Sequence, residues 1–245
     1  MLWIAHRGES FDAPENTMSA FRLATRTGAD GIECDIHMTL DGEVVCIHDA
    51  DTKRTSNAAF KISETSFPEL RKLDFGSWKD AKWQGEKIPR LSELLDVVNP
   101  GMKVFIEIKS DPVIVNAMKL ILKKSGLADD QIIIISFDQA AIAEAKKQLP
   151  QHKACWLTGY DENRNPSAGE IINVLCETGA DGVDSHCADF IDAEFVRKIH
   201  DAGFEFHVWT IDEPEKAARF KALGVDSITS NRAGFLKSLN QLITF

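Results

Sequence analysis

Residues 103–158 read KVFIEIKSDPVIVNAMKLILKKSGLADDQIIIISFDQAAIAEAKKQLPQHKACWLT, and the rhythm of this stretch decides the fold. A near-continuous apolar run, KVFIEIK, is followed by a helix-like segment ending in glycine, NAMKLILKKSG. QIIIISF and QAAIAEAKKQLP repeat the pair, and KACWLT starts it again. Strands that are apolar at successive positions are buried on both faces, as in a parallel sheet covered by helices.

The same alternation extends in both directions. Toward the C-terminus come EIINVLCETG, ADGVDS, DAEFVRKIHDAG, EFHVWT, EPEKAARFKALG, VDSITS and AGFLKSLNQL. Toward the N-terminus stand LWIAHR, NTMSAFRLATRTG, GIECDIHMT and the helix SELLDVV. Asn16 reads as the N-cap of the first helix and Gly28 as its stop, and Ser92 as the cap of SELLDVV. Eight strand–helix pairs result if VVCIHD, residues 44–49, is set aside. Eight such units predict an α/β fold, a closed (β/α)8 TIM barrel, with an open doubly wound sheet as the alternative. A single domain over residues 1–245 is expected. Residues from about 51 to 88 have no clear period and read as an excursion from the rhythm.

VVCIHD is expected to form a hairpin with the second strand. Asp41-Gly42 has the composition of a two-residue type I′ turn. With Leu40 and Glu43 flanking it, Asp35 faces His48, and Glu33 shares that face. A parallel placement of VVCIHD is the competing layout, but such a crossover normally needs about a dozen residues or more.

Composition narrows the function. Hydrophobic residues make up 44% and charged residues 27%, and the net charge is -10. An acidic chain is a poor match for the phosphate backbone of nucleic acid. The five cysteines, Cys34, Cys46, Cys155, Cys176 and Cys187, form no C-x-x-C pair, and their number is odd. Reduced thiols and a cytoplasmic location are expected. The opening MLWIAHRGES has neither a basic region nor a long apolar one, and no run approaches a membrane span, so no signal peptide or membrane anchor is expected.

Barrel active sites form at the C-terminal ends of the strands. His6 and Arg7 end the first strand, Glu33 and Asp35 lie in the second, and Glu107 and Lys109 end the third. Buried carboxylates are costly unless paired or bound to metal. Glu33, Asp35 and Glu107 offer only oxygen, which suits a hard divalent ion, Mg2+ or Ca2+. Ion pairs with Arg7 and Lys109 are the structural alternative, and zinc on His6 and His48 a further one. His6 and His48 have the chemistry of an acid–base pair at neutral pH. Arg7 and Lys109 suit a phosphate. His152 and His200 read as structural, His37 is open, and His186 and His207 are candidates to line the pocket. Trp209 either floors the pocket or packs. Trp78 and Trp83 either cover substrate or anchor the insertion. Asn16-Thr17 beside Glu15 reads mainly as a helix start.

Taken together, AHRGESFDAPENTMSAF, GADGIECDIHMTLDGEVVCIHD, DTKRTS, IPRLSELL, IEIK and VWTID resemble the glycerophosphodiester phosphodiesterases, densest over the first 110 residues. The ordered set HRG, E-x-D, HD after the DG turn, and E-x-K is the specific part. The resemblance implies a barrel with a small insertion after the second strand and a catalytic pair His6 and His48. It also implies a divalent metal on Glu33, Asp35 and Glu107, with Arg7 and Lys109 on phosphate. The implied reaction is hydrolysis of glycerophosphodiesters such as glycerophosphocholine and glycerophosphoethanolamine to glycerol 3-phosphate and an alcohol. The attacking oxygen is either the glycerol 2-hydroxyl, through a cyclic phosphate, or water. Asn231, Ala233 and Arg90 depart from the family's usual residues, which bears on head-group preference. Cleavage of lipid-bound diesters and a catalytically silent phosphate sensor are the rival functions.

Overall fold

The computed structural model of the chain describes residues 1–160 and 165–242. Eight parallel strands close on themselves: β1 (Leu2–Ala5), β2 (Gly31–Met38), β4 (Lys103–Ile108), β5 (Ile132–Ser136), β6 (Lys153–Thr158), β7 (Gly182–His186), β8 (Glu205–Trp209) and β9 (Ser227–Ser230). Closure comes from β1, which pairs with β2 on one side and β9 on the other. A ninth strand, β3 (Val44–Cys46), runs antiparallel to β2 outside the ring. The helices are α1 (Met18–Thr27), the short α2 (Phe67–Leu70) and α3 (Leu91–Leu95), then α4 (Ile114–Ser125), α5 (Gln139–Gln148), α6 (Ala168–Thr178), α7 (Ala193–Asp201), α8 (Pro214–Ala222) and α9 (Ala233–Leu242).

Two layers of side chains explain the strand sequences. Val104, Ile106, Ile108, Ile132 and Ile134 point outward into the core shared with the helices. Their neighbours Phe105, Ile133 and Ile135 point inward and fill the barrel with Ile4, Cys155 and Leu157. Both faces are buried, so the apolar run is continuous. In β2 the outward set is Ile32, Cys34 and Ile36. The alternate residues Glu33 and Asp35 are therefore carried on the other face, toward the barrel interior. Glu107 follows Phe105 on the same face of β4, and Asp35 and Glu107 are register partners.

The turn after β2 differs from the expected type I′ hairpin. Thr39 accepts from the Gly42 N–H and donates to the Glu43 carbonyl, at 3.0 and 2.9 Å. Gly42 has φ 82°, whereas Asp41 keeps a negative φ. A type I′ turn requires positive φ at both central residues. The loop is thus one residue longer, a turn closed by a left-handed glycine. The register shifts by one, pairing Ile36 with Cys46 and His37 with Val45. Ile47 donates to the Asp35 carbonyl, so Ile47 and not His48 stands opposite Asp35. Beyond Ile47 the chain leaves the pairing.

The first helix is capped by Thr17, whose Oγ1 accepts from the Ala20 N–H at 3.4 Å, and not by Asn16. Its C-cap is Gly28, in the left-handed region. α3 is headed by Arg90, whose N–H donates to Glu93, so Ser92 lies inside the helix. The aperiodic stretch from 51 to 88 orders around its own core: Val45, Ile47, Ile62, Phe67, Leu70, Phe75 and Ile88. Full burial of each such side chain is worth about 1.5–3 kcal/mol, enough to order a segment with little regular structure. A bidentate Arg71–Glu93 pair joins it to α3. No helix among the described residues is long and apolar enough to cross a membrane.

Candidate active site

The cleft opens at the C-terminal ends of the strands. One wall carries His6, Arg7, Glu33, His48, Glu107 and Lys109. Ile135, Phe137, Leu157 and Trp209 form the apolar wall, with Asp184 and Thr229 beside them. Asp35 is fully buried behind the charged wall. The structure thus gathers His6, His48, Arg7, Lys109, Trp209, Glu33, Asp35 and Glu107 in one place.

The loop after β1 makes a tight bend to do this. Gly8 has φ 78°, and a Cβ there would come within 2.5 Å of the Ala20 backbone. The bend turns the Arg7 N–H onto Glu33 Oε2 at 2.8 Å. Arg7 Nε lies 3.1 Å from Asp35 Oδ2, and Lys109 Nζ lies 3.3 Å from Asp35 Oδ1 and 2.6 Å from Glu107 Oε1. Both cations are therefore engaged with carboxylates, as the structural alternative holds. Those pairs do not exhaust the site. Glu33 Oε1, Asp35 Oδ1 and Glu107 Oε1 are all buried; Lys109 is the one cation shared by the latter two, and Glu33 Oε1 has no hydrogen-bond partner among the described residues.

One oxygen from each of the three carboxylates falls within 4.8 Å of the other two. Burial, reinforced by Asp35 and Glu107, pushes Glu33 well above the usual carboxyl range. Glu107 is pushed up to about 8, by burial and then by Asp35. Burial also acts on Asp35, but Arg7 and Lys109 outweigh it and hold the group at about 2. Three buried carboxyl groups thus converge on one point with only Arg7 and Lys109 to balance them. This donor set fits a hard divalent cation.

The two imidazoles are oriented from behind. Asn231 Nδ2 donates to Asp212 Oδ2 at 2.6 Å, which turns its Oδ1 toward His6 Nδ1 at 2.7 Å. An amide oxygen only accepts, so Nδ1 carries the hydrogen and Nε2 is left as the free ring nitrogen. Burial and then the Arg7 charge lower His6 to about 4, keeping it neutral. His48 Nδ1 lies 2.7 Å from Asp49 Oδ1. Asp49 is held in turn by Arg54, and Arg54 by Glu15. A hydrogen bond from Arg54 keeps Asp49 at about 2, so it is a carboxylate. His48 likewise keeps Nε2 free.

Asp212, Asp49 and Arg54 had no individual signal in the sequence as site residues, whereas Asn16 read mainly as a helix start and Asn231 stood out only as a departure from the family's usual residue. Asn16 and Arg7 share one trait: among the described residues they alone are non-glycine with positive φ, at 53° and 56°. Other candidates fall elsewhere. His37 donates to the His48 carbonyl at 3.1 Å. His207 is buried in the barrel interior, and His186 packs edge-on against Trp209 rather than lining the cleft. His152 is tied to the Asp129 carbonyl and His200 to Asp226. Trp78 and Trp83 stay with the insertion and do not line the cleft. Arg90 pairs with Glu43 and covers the Phe67 ring at 3.9 Å, remote from the cleft, whereas Asn231 touches His6 directly.

Known proteins match the chain over nearly its whole length. The model of the glycerophosphoryl diester phosphodiesterase family matches residues 6–235. A glycerophosphodiester phosphodiesterase of Caldanaerobacter subterraneus is 34% identical, over 94% of this chain and 93% of its own length. An Oleispira antarctica phosphodiesterase, solved in complex with the product sn-glycerol-3-phosphate, superposes with a TM-score of 0.87 at 30% identity, covering 96% of this chain and 94% of that one. A Thermotoga maritima glycerophosphodiester phosphodiesterase superposes with a TM-score of 0.78 at 25% identity, covering 98% of both chains.

Proposed function

The chain belongs to the glycerophosphoryl diester phosphodiesterase family and is an enzyme of that kind, and from this premise we propose that it hydrolyses small glycerophosphodiesters, such as glycerophosphocholine and glycerophosphoethanolamine, to glycerol 3-phosphate and an alcohol. The carrying observation is that two imidazoles, each tied at Nδ1, share one cleft with three buried carboxylates whose oxygens converge to within 4.8 Å of one another.

Glu33, Asp35 and Glu107 would hold the metal, Mg2+ or Ca2+. A divalent ion there supplies charge neutralisation for the phosphate. Arg7 and Lys109 keep Asp35 ionised and present their remaining N–H groups to the anion. One imidazole takes the proton of the attacking oxygen through Nε2, and the other gives its proton to the leaving alcohol. The hydrogen bonds at Nδ1 fix each ring while this happens. Asp49, hydrogen-bonded to His48 Nδ1, fixes the orientation and tautomer of that ring, much as the acid of a catalytic triad orients its histidine. Trp209 and Phe137, packed edge-on at 5.6 Å, shape the apolar wall of the glycerol pocket. Asp184 Oδ1 and Thr229 Oγ1 are buried at that wall with no hydrogen-bond partner among the described residues, which favours a substrate with free hydroxyls over an acylated lipid. We place the enzyme in the cytoplasm, in keeping with five cysteines that are all unpaired.

The test is an assay of metal-stripped protein on a panel of glycerophosphodiesters and lysophospholipid vesicles, with Mg2+ or Ca2+ restored. Turnover of the soluble diesters that returns with metal is expected. Faster cleavage of the vesicles, or full activity without metal, would overturn the reading.

A further inference from the structure

A second group of metal-binding side chains lies inside the barrel, outside the cleft. Cys155 of β6 and Glu205 and His207 of β8 each offer one ligand atom, and these atoms all lie within 4.8 Å of one another. Cys155 and His207 are buried, while Glu205 is half-buried and opens the cluster toward solvent. Lys153 holds one oxygen of Glu205, and the other, Oε2, stands 3.5 Å from His207 Nε2.

His207 is set as a ligand would be. Its Nδ1 is hydrogen-bonded to Ser227 Oγ at 2.8 Å, and the edge of Phe105 packs against the ring at 5.4 Å. Among the described residues no hydrogen bond of good geometry reaches the buried Nε2, which faces Glu205 Oε2 only at the long distance of 3.5 Å. An imidazole fixed through one nitrogen, with the other aimed at a thiol and a carboxylate, is the arrangement that outer-shell partners give to a metal-binding histidine.

We propose that Cys155, Glu205 and His207 form a second, structural metal site that takes Zn2+ or a similar borderline-soft divalent ion. The mixed sulfur, nitrogen and oxygen donors suit zinc, whereas the oxygen-only trio of the cleft suits Mg2+ or Ca2+. Zinc bonds of about 2.0–2.3 Å put tetrahedral ligand atoms about 3.3–3.8 Å apart, so the side chains close by an ångström or so on binding. The Cys155 thiol gives its proton to solvent as the metal–sulfur bond forms, with no change of oxidation state. The ion would clip β6 to β8 across β7, and its effect falls on stability.

Cobalt reads this site selectively, because only a thiolate ligand gives a sulfur-to-cobalt charge-transfer band in the near ultraviolet. Metal-stripped full-length protein titrated with Co2+ in excess Mg2+ should develop that band, saturating at one equivalent. Zn2+ should abolish it by displacement, and Ca2+ should not. Cys155→Ser should lose the band, and Glu107→Gln should keep it. Absence of the band in the unmodified protein at saturating Co2+ would overturn the proposal and leave the trio as a hydrogen-bonded network. Persistence of the band in Cys155→Ser would overturn it too, by assigning the sulfur to another cysteine such as the exposed Cys176. If Cys155→Ser does not fold, the spectrum of the unmodified protein with Zn2+ competition still decides.

Discussion

Asn16 grips Asp35 with both ends of its amide: Nδ2 donates to Asp35 Oδ2 at 2.7 Å, and Oδ1 accepts the Asp35 backbone N–H at 3.2 Å. It does so from a left-handed backbone at φ 53°. Such a conformation in a residue with a side chain costs on the order of 1–3 kcal/mol, and is kept where surrounding contacts over-determine it. Asn16→Ala should therefore lower metal affinity roughly 10–100-fold, as loss of a ligand's supporting contact does. Asn16→Gly, which relieves the backbone, should lose affinity just as much. Titration of stripped protein with Mg2+ or Ca2+ measures this, and unchanged affinity in both variants would contradict it.

Asn231 plays the corresponding part for His6. Asn231→Ala removes the acceptor at Nδ1 and frees the ring to turn. The expected result is a fall in kcat of about tenfold to a hundredfold with KM little changed, a smaller loss than removal of the imidazole itself. A change confined to KM would assign Asn231 to substrate binding instead.

Asp184 gives a stability prediction with a definite sign. Its carboxyl is buried, and burial raises it from 3.8 to about 6, with the His207 charge acting in the other direction. Between those values the folded chain holds a proton that the unfolded chain has released. Stability relative to Asp184→Asn is thus full below about pH 4 and is lost as pH rises through about 6. A rise from 3.8 to about 6 corresponds to about 3 kcal/mol at most. Denaturation curves at pH 4, 5, 6 and 7 test this, and a constant difference between the two proteins would refute it.

The barrel was legible because its strands are buried on both faces, which writes their positions into the sequence as unbroken apolar runs. The inward carboxylates stood out against those runs for the same reason. The turn at Asp41-Gly42 was not legible in detail. That dipeptide serves both a two-residue loop and a longer one, and the choice moves every partner by one. His48 reaches the cleft nonetheless, because the chain departs from β2 after Ile47. The contact of Asn231 with His6 was not legible: the two are 225 residues apart, and only closure of β1 against β9 brings them together. Asn16 was masked by Thr17, since two good N-cap residues stand side by side and the helix uses only one.

Metal removal has two readouts. Chelation should abolish turnover, and restored Mg2+ or Ca2+ should stabilise the fold by about 2.7 kcal/mol at a hundredfold excess over Kd. Glu33→Gln and Glu107→Gln should lose that stabilisation together with activity. Metal-dependent stabilisation through the cleft that survives in both variants would place the ion elsewhere.

The most direct test of paired imidazole catalysis compares His6→Ala and His48→Ala on two substrates. On glycerophosphocholine each variant should lose roughly 10²–10⁴ in kcat. On a glycerophosphodiester with a p-nitrophenol leaving group, which departs without a proton, the variant lacking the acid should recover most of its rate and the variant lacking the base should not. Near-normal turnover of glycerophosphocholine by either variant, or equal response of both to the better leaving group, would contradict the pairing.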